Sequence, residues 1–186
     1  MVESWSDATA LAVGTGVLAW LSRKALARPG SHGFYRFFSW EAILALVVLN
    51  RQIWGEQPFT PHQMTSWILM LTSIGLAITG VVTLKRLGKP GEQRNDGSFY
   101  EFEKTTQLVS SGIFGYIRHP MYTSLLALTW GAFFQGPSWL GACIATAGTS
   151  CLLLTALTDE KECLAYFGEP YANYMRRTRR FVPYLF

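Results

Sequence analysis

Two long apolar runs without a single charge constrain this chain more than any other feature of its sequence. Residues 67–84 and 139–157 contain no Asp, Glu, Lys or Arg. A helix of a water-soluble protein seldom needs so long an uncharged stretch, whereas a bilayer core about 30 Å thick requires about 20 apolar residues per helix. The sequence therefore predicts an all-α integral membrane protein.

Three further apolar segments are shorter or interrupted by charge. The second span contains Glu41 and Arg51, and the first and fourth are short enough to need help from flanking residues or local thinning of the bilayer. We predict about five transmembrane helices in a single membrane domain. The five predicted spans are residues 7–22, 39–54, 66–84, 121–135 and 138–157.

The basic residues are distributed unevenly over the predicted connections. All 16 Lys and Arg residues except Arg51 fall in the loop after the first span, the loop after the third, or the tail after the fifth. By the positive-inside rule these parts face the cytoplasm, so we expect the N-terminus outside and the C-terminus inside. The net charge of +4 then indicates topology and attraction to anionic membrane lipids, and it does not predict nucleic-acid binding.

The chain divides into four parts on this reading. Residues 1–84 hold three spans, 85–120 form a long cytoplasmic loop whose residues 85–104 could act as a lid, 121–157 form a helical hairpin, and 158–186 form a cytoplasmic tail. Glu3 and Asp7 at the start argue against a cleavable signal peptide. The tail is predicted to contain one helix capped by Thr158 and ended by Gly168, and a second that begins near Pro170.

The cysteines predict neither a disulfide nor a metal site. Cys143 and Cys151 lie about 12 Å apart along one predicted helix, which is too far for a bridge. Cys163 follows in the cytoplasmic tail, and no zinc-ligand spacing is present.

The stretch "GYIRHPMYTS" at 115–124 places Arg118 and His119 directly before an apolar segment. Pro120 suits the first turn of a helix and keeps the preceding residue extended, which leaves the helix N-terminus open to an anion. Arg118 and His119 would add charge and donors for a carboxylate or phosphate. The alternative is that Arg118 anchors the topology and that His119 is a surface histidine.

An acidic pair and a group of aromatic residues follow the fifth span. Asp159 and Glu160 could simply stabilise a helix N-terminus, and the aromatic residues could form an ordinary membrane-interface belt. A functional interpretation needs a cationic ligand, which aromatic faces would also attract by about 0.5–2 kcal/mol each. The aromatic residues are Tyr166, Phe167, Tyr171 and Tyr174.

Together these stretches resemble the isoprenylcysteine carboxyl methyltransferase family and the wider group of integral-membrane phospholipid methyltransferases. The resemblance covers about residues 105–186 and is carried by "LVSSGIFGYIRHPMYTS" and "DEKECLAYFGEPYANYMRR". The residues that match the family pattern in order and spacing are Leu108, Gly112, Arg118, His119, Pro120, Tyr122, Glu160, Phe167, Gly168, Tyr171 and Tyr174.

This resemblance implies an enzyme that uses S-adenosylmethionine to methylate a carboxylate, amine or thiol of a lipophilic or small acceptor, in contact with membrane lipids. Arg118 and His119 would serve the carboxylate of the cofactor, and Glu160 its ammonium group or the acceptor. The tail aromatics would shield the sulfonium and the adenine, and no metal is required. The implied cofactor-binding residues are Leu108, Gly112, Tyr116, Arg118, His119, Pro120, Tyr122 and Phe167, and the implied catalytic residues are Glu160, Tyr171 and Tyr174.

Three positions depart from the family pattern. Asp159 replaces the first Glu of the acidic pair, and Ser124 replaces a Gly, which allows close backbone approach less freely. Thr155 stands where the family commonly has an Arg four residues before the pair. If that Arg holds an acceptor carboxylate, Thr155 argues against a prenylcysteine substrate, and the acceptor is left open.

Two other functions compete with methyl transfer. The ending "RFVPYLF" is somewhat similar to that of sterol reductases, which use a nicotinamide cofactor, but those proteins have about twice as many spans as a chain of 186 residues can hold. A non-catalytic protein that binds a lipid or a partner on the same scaffold is the second alternative.

Overall fold

The computed structural model describes residues 2–89 and 105–184, with side chains from residue 5 onward, and these residues are almost entirely helical. An isolated extended bridge joins Ile117 and Arg179, and no described residue belongs to a longer strand. The all-α prediction is therefore confirmed. The elements are α1 Val2–Leu21, α2 Arg23–Leu26, α3 His32–Asn50, α4 Pro61–Leu87, a 3₁₀ turn at Gly112–Gly115, α5 Pro120–Gln135, α6 Trp139–Phe167 and α7 Glu169–Arg177.

Three of these helices, α3, α4 and α6, are long and apolar enough to cross a membrane. They contain or overlap the second, third and fifth predicted spans, which identifies the chain as a membrane protein. The other two predicted spans fall on α1 and α5. Because α5 has only 16 residues, it is about 24 Å long at 1.5 Å per residue, and the crossing of the bilayer by α1 and α5 stays a prediction.

The helices pack in two close pairs, α4 with α5 and α3 with α6. Small residues allow the close approach that membrane helices need, because lipid gives no hydrophobic force to drive them together. A Cβ atom on Gly131 of α5 would lie 2.9 Å from Met70 Cγ on α4. A Cβ atom on Gly148 of α6 would lie 2.9 Å from the Cβ of Ala42 on α3.

Buried amide side chains join the helices at the end of the bundle where α5 finishes. Asn50 Nδ2 donates to the carbonyl of Ala132 over 2.8 Å, and Gln135 Nε2 donates to Ser66 Oγ over 2.9 Å. Gln63 Nε2 also donates to the carbonyl of Gln135 over 3.2 Å. All four of these polar side chains are buried, so the network fixes α3, α4 and α5 relative to one another.

Helix α1 joins the bundle through polar contacts with α3. The Thr15 hydroxyl donates to Glu41 Oε2 over 2.8 Å, and the Arg51 guanidinium pairs with Asp7. The two charges within the second predicted span thus have partners on the first.

The predicted tail helix is wrong at its start, because α6 runs without a break through Thr158 to Phe167. No Gly or Pro interrupts the sequence between Leu157 and Gly168, and half of its residues are strong helix formers, so the capping preference of Thr158 has no effect. Gly168 ends the helix with φ of +64°, and Pro170 lies in the first turn of α7, both as predicted. The acidic pair therefore stands on a rigid extension of a long helix.

The long loop is shorter than predicted at its beginning, since α4 continues to Leu87. It does end at Pro120, where α5 starts as expected. The central part of the predicted loop, residues 90–104, lies outside the described residues, as does most of the segment considered as a lid.

Replacing Gly148 by Leu should separate α3 from α6 and destabilise the protein by about 1–3 kcal/mol, because the new side chain meets Ala42 in a packed interface. The measurement is the thermal unfolding midpoint in detergent. Gly75→Leu is the matched control, since a Cβ atom on this glycine of α4 has no neighbour within 4 Å. Equal midpoints for the two variants would contradict the close α3–α6 packing.

Candidate active site

The pocket that contains most of the predicted site residues lies at the opposite end of the bundle from the amide network. It is enclosed by the end of α4, the segment before α5, the polar extension of α6, and α7. Eight predicted site residues line it, and they come from three separate parts of the chain. They are Leu108, Arg118, His119, Pro120, Tyr122, Phe167, Tyr171 and Tyr174.

Glu160 is buried behind this pocket and holds two guanidinium groups. Arg118 Nε donates to its Oε1 over 2.8 Å, and Arg180 donates from Nε to Oε1 over 3.0 Å and from a terminal nitrogen to Oε2 over 2.8 Å. His119 Nε2 lies 3.3 Å from the same Oε1. The side chain of Glu160 is 5% exposed, so its charge depends on these partners for compensation.

Arg118 also fixes the end of α7. The same guanidinium donates to the carbonyl of Met175 over 3.1 Å and to the carbonyl of Thr178. Met175 lies in the last turn of α7 and Thr178 directly follows the helix, where backbone carbonyls lack helical partners and a cation is favoured. Arg118 thus lines the pocket while its charge is engaged by protein groups on α6 and α7.

Residues 178–181, here called the C-terminal strap, run along the segment that precedes α5. Arg118 N donates to the carbonyl of Arg179 over 2.7 Å, and His119 N donates to that of Arg180 over 3.2 Å. In return Arg179 N donates to the carbonyl of Tyr116 over 3.2 Å. This backbone pairing places the Arg180 side chain against Glu160.

His119 and Asp159 form the polar part of the pocket wall. The His119 ring is stacked on Tyr122, with ring centroids 5.1 Å apart, and its Nδ1 lies 3.6 Å from Asp159 Oδ2. The Tyr122 hydroxyl donates to the same carboxylate oxygen over 3.1 Å. Because successive residues of a helix point about 100° apart, Asp159 faces the pocket and Glu160 lies behind it.

Three of the four aromatic residues noted in the tail form the other wall, whereas Tyr166 is 45% exposed and does not line the pocket. Phe167 and Tyr171 are stacked with centroids 6.4 Å apart, and Tyr171 meets Tyr174 edge to face. The Tyr174 hydroxyl donates to the carbonyl of Phe114 over 2.7 Å. Burial raises the pKa of both tyrosine hydroxyls, and the nearby acidic groups of Cys163 and Asp159 raise that of Tyr171 further. Both hydroxyls therefore remain neutral donors at physiological pH.

Gly112, Tyr116 and Glu160 are predicted site residues that do not line the pocket as described. Gly112 has φ of +62° and begins the 3₁₀ turn that carries Phe114 into the pocket wall. Tyr116 is 60% exposed and contributes a backbone carbonyl to the strap. These three residues support the pocket from outside it: Gly112 begins the turn that carries Phe114, Tyr116 pairs with the strap, and Glu160 binds Arg118 and Arg180.

Sequence reasoning missed Arg180 and Cys163. Arg180 reaches Glu160 only because the strap pairs with the segment before α5, and no local sequence pattern indicates such a pairing. Cys163 lines the pocket, with its Sγ 3.4 Å from Asp159 Oδ1. Its spacing of four residues from Asp159 on one helix was the available signal.

Residues 62–168 match the phospholipid methyltransferase family, which is more than half of the chain. The chain belongs to this family. The match confirms the resemblance to integral-membrane methyltransferases of the isoprenylcysteine carboxyl methyltransferase type. It includes α4, α5, α6 and the motif around Arg118, whereas α1 to α3 and Tyr171 lie outside it.

Neither the curated proteins nor the solved structures give a match to this chain. Membership of the family therefore supports an integral-membrane methyltransferase in general, and the finer assignment depends on the site itself.

Replacing Arg180 by Ala should leave Glu160 undercompensated and lower the free energy of unfolding by about 1–3 kcal/mol, the usual scale for hydrogen bonds to charged groups. Thermal unfolding in detergent measures the loss. Arg179→Ala is the control, because this neighbouring side chain is exposed and only its backbone contributes to the strap. An equal change in both variants would show that the Arg180–Glu160 pair adds nothing specific.

Proposed function

We propose that this protein is an S-adenosylmethionine-dependent methyltransferase whose acceptor is an amine held at the membrane. The observation that carries the proposal is the composition of one pocket. An arginine and a histidine at the start of α5, a carboxylate on α6 and a wall of aromatic rings all face the same space. These groups fit a ligand that carries a carboxylate, an ammonium and a sulfonium in one molecule.

The cofactor carboxylate would lie at the start of α5. The first turn of a helix presents backbone N–H groups and the positive end of its dipole, and Met121 and Tyr122 of this turn belong to the pocket wall. His119 stands at the same place, and its ring lines the pocket. Arg118 contributes positive charge nearby, although Glu160 engages much of it.

The cationic parts of the cofactor would lie toward α6 and α7. Asp159 is the carboxylate of the acidic pair that faces the pocket, so it suits the ammonium group better than Glu160 does. Phe167 and Tyr171 offer stacked rings to the sulfonium, a contact worth about 0.5–2 kcal/mol per ring. We therefore assign Glu160 to holding Arg118 and Arg180 in place, a positioning role.

S-adenosylmethionine, when bound, would supply a methyl group that the acceptor attacks in line with the carbon–sulfur bond, and the neutral thioether leaves. The pocket residues have to align the acceptor with that methyl group and exclude water. An amine acceptor must also lose a proton, and His119 would receive it, because its ring nitrogens lie 3.6 Å from Asp159 Oδ2 and 3.3 Å from Glu160 Oε1 and the two carboxylates would stabilise the added charge. Tyr122, which donates to Asp159 over 3.1 Å, would keep that carboxylate oriented.

The charges around the pocket favour an amine over a carboxylate acceptor. Thr155, which replaces the family arginine, is fully buried and donates to the carbonyl of Cys151 over 2.8 Å, so it offers no positive charge. Arg118 and Arg180 are both paired with Glu160. An acceptor carboxylate would find little compensation here, whereas an amine, which is neutral when it attacks the methyl group, needs none.

The membrane topology that accompanies this proposal has five spans, with the N-terminus outside. Its support is the position of the pocket, which lies where α4 ends and α5 begins, at the end of the bundle that carries Lys85, Arg86 and the basic tail. Cytoplasmic S-adenosylmethionine would enter from that side, and the acceptor from the bilayer.

Titration calorimetry of the detergent-purified chain should detect binding of S-adenosylmethionine. We expect His119→Ala and Asp159→Asn each to weaken it about tenfold or more, since each removes a charged or hydrogen-bonding contact in the pocket. His62→Ala, at the far end of the bundle, should bind as the native chain does. Tight binding of reduced nicotinamide dinucleotide phosphate with no response to S-adenosylmethionine would favour the reductase alternative instead.

Transfer of a labelled methyl group identifies the acceptor. The native chain should label amine-bearing phospholipids in vesicles and leave a prenylcysteine carboxylate analogue and small thiols unlabelled, because the pocket presents Asp159 and no uncompensated cation. Preferential labelling of the prenylcysteine analogue would refute the amine assignment. Binding of the cofactor without transfer to any of these acceptors would favour a non-catalytic binding protein.

A further inference from the structure

A buried histidine from outside the family-matched region reaches the acidic face of α6. His32 is the first residue of α3, and it has no exposed surface. Its ring Nδ1 lies 2.6 Å from Glu162 Oε2, and its backbone N donates to Glu162 Oε1 over 3.2 Å. Glu162 is thus held at both oxygens by a single residue of another helix.

This contact lies next to the carboxylate that faces the pocket. Glu162 follows Asp159 by three residues on α6, so both side chains are on one face of the helix. One side-chain nitrogen or oxygen atom from each of His32, Asp159 and Glu162 lies within 4.8 Å of those from the other two. Arg36, which is buried one turn further along α3, also brings its charge close to His32.

We infer that His32 is a positioning residue for Asp159, an inference that rests on the proposed function for the role of Asp159 in cofactor binding. Two carboxylates one helical turn apart repel each other unless one is held by a partner. By fixing Glu162, His32 leaves Asp159 oriented toward Tyr122 and His119. Without the histidine, Glu162 would compete with Asp159 for the same donors and displace it from the pocket wall.

A purely structural role is the competing explanation, because Glu162 also accepts the first backbone N–H of α3 and so acts as a helix cap. The chain provides a matched control for this role. Ser31 caps the same helix by accepting from Phe34 N over 3.2 Å. Ser31→Ala therefore removes a capping hydrogen bond of α3 while the His32–Glu162 contact stays in place.

The first test compares His32→Leu, His32→Asn and Ser31→Ala in the full chain by calorimetry with S-adenosylmethionine. His32→Leu should raise the Kd about tenfold, the scale of a lost charge-assisted contact, and His32→Asn should restore most of the affinity, because its amide nitrogen can replace Nδ1 as a donor. Ser31→Ala should lower the thermal midpoint with the Kd unchanged. Native affinity in His32→Leu, or no rescue by Asn, would overturn the inference.

The second test needs no cofactor. In a chain with Cys143→Ala and Cys151→Ala, the remaining thiol is Cys163, whose Sγ lies 3.4 Å from Asp159 Oδ1. A neighbouring carboxylate disfavours the reactive thiolate, so His32→Leu should speed maleimide labelling of Cys163 about threefold or more by displacing Asp159, and Ser31→Ala should not.

The two tests separate the possible failures. If the native chain binds no S-adenosylmethionine, the proposed function fails, but faster labelling of Cys163 in His32→Leu would still support the positioning of Asp159. If the native chain binds the cofactor and His32→Leu changes neither its Kd nor the labelling rate, only the inference about His32 fails.

Discussion

A single buried carboxylate holds together the parts of this chain that form its pocket. Glu160 accepts hydrogen bonds from Arg118, before α5, and from Arg180, in the C-terminal strap, so three segments that are distant in sequence meet at one charge. Such a group is tolerated in a protein interior only while its partners are present, because an uncompensated buried charge is strongly destabilising. We therefore expect the segment around Arg118, the extension of α6 and the strap to become ordered together.

The chain combines two environments with different requirements. In the bundle, glycines such as Gly131 and Gly148 let apolar helices approach closely, and the amide network around Gln135 satisfies polar groups at one end. At the other end, the pocket concentrates ionisable residues on the extension of α6. The match to the phospholipid methyltransferase family covers α4, α5 and α6, which contribute to both the bundle and the pocket. Helix α3 is outside that match, and yet it contributes buried contacts to the bundle and to the acidic face.

Local signals in the sequence predicted much of this structure. Uncharged runs revealed α4 and α6, Pro120 indicated the start of α5, and Gly168 indicated the end of α6, because each effect depends on neighbouring residues only. The prediction from Thr158 was wrong, because a capping preference matters only where the preceding helix can end. It could not be predicted from the sequence which of Asp159 and Glu160 faces the pocket. Adjacent helix residues differ only in direction, and packing decides which one meets the pocket. The contact of Arg180 with Glu160 could not be predicted either, because it depends on the backbone pairing of the strap with the segment before α5, some sixty residues earlier in the chain.

The unbroken course of α6 has a mechanical consequence. This helix has 29 residues and is about 43 Å long at 1.5 Å per residue, so its polar end is rigidly connected to the part that lies among lipid tails. The height of Asp159 above the bilayer centre is then set by the length of the helix and not by a flexible tail. A thicker or thinner bilayer changes the level of the lipid headgroups relative to that fixed carboxylate, or tilts the helix, so the thickness of the host membrane sets how deep the pocket lies relative to the membrane surface.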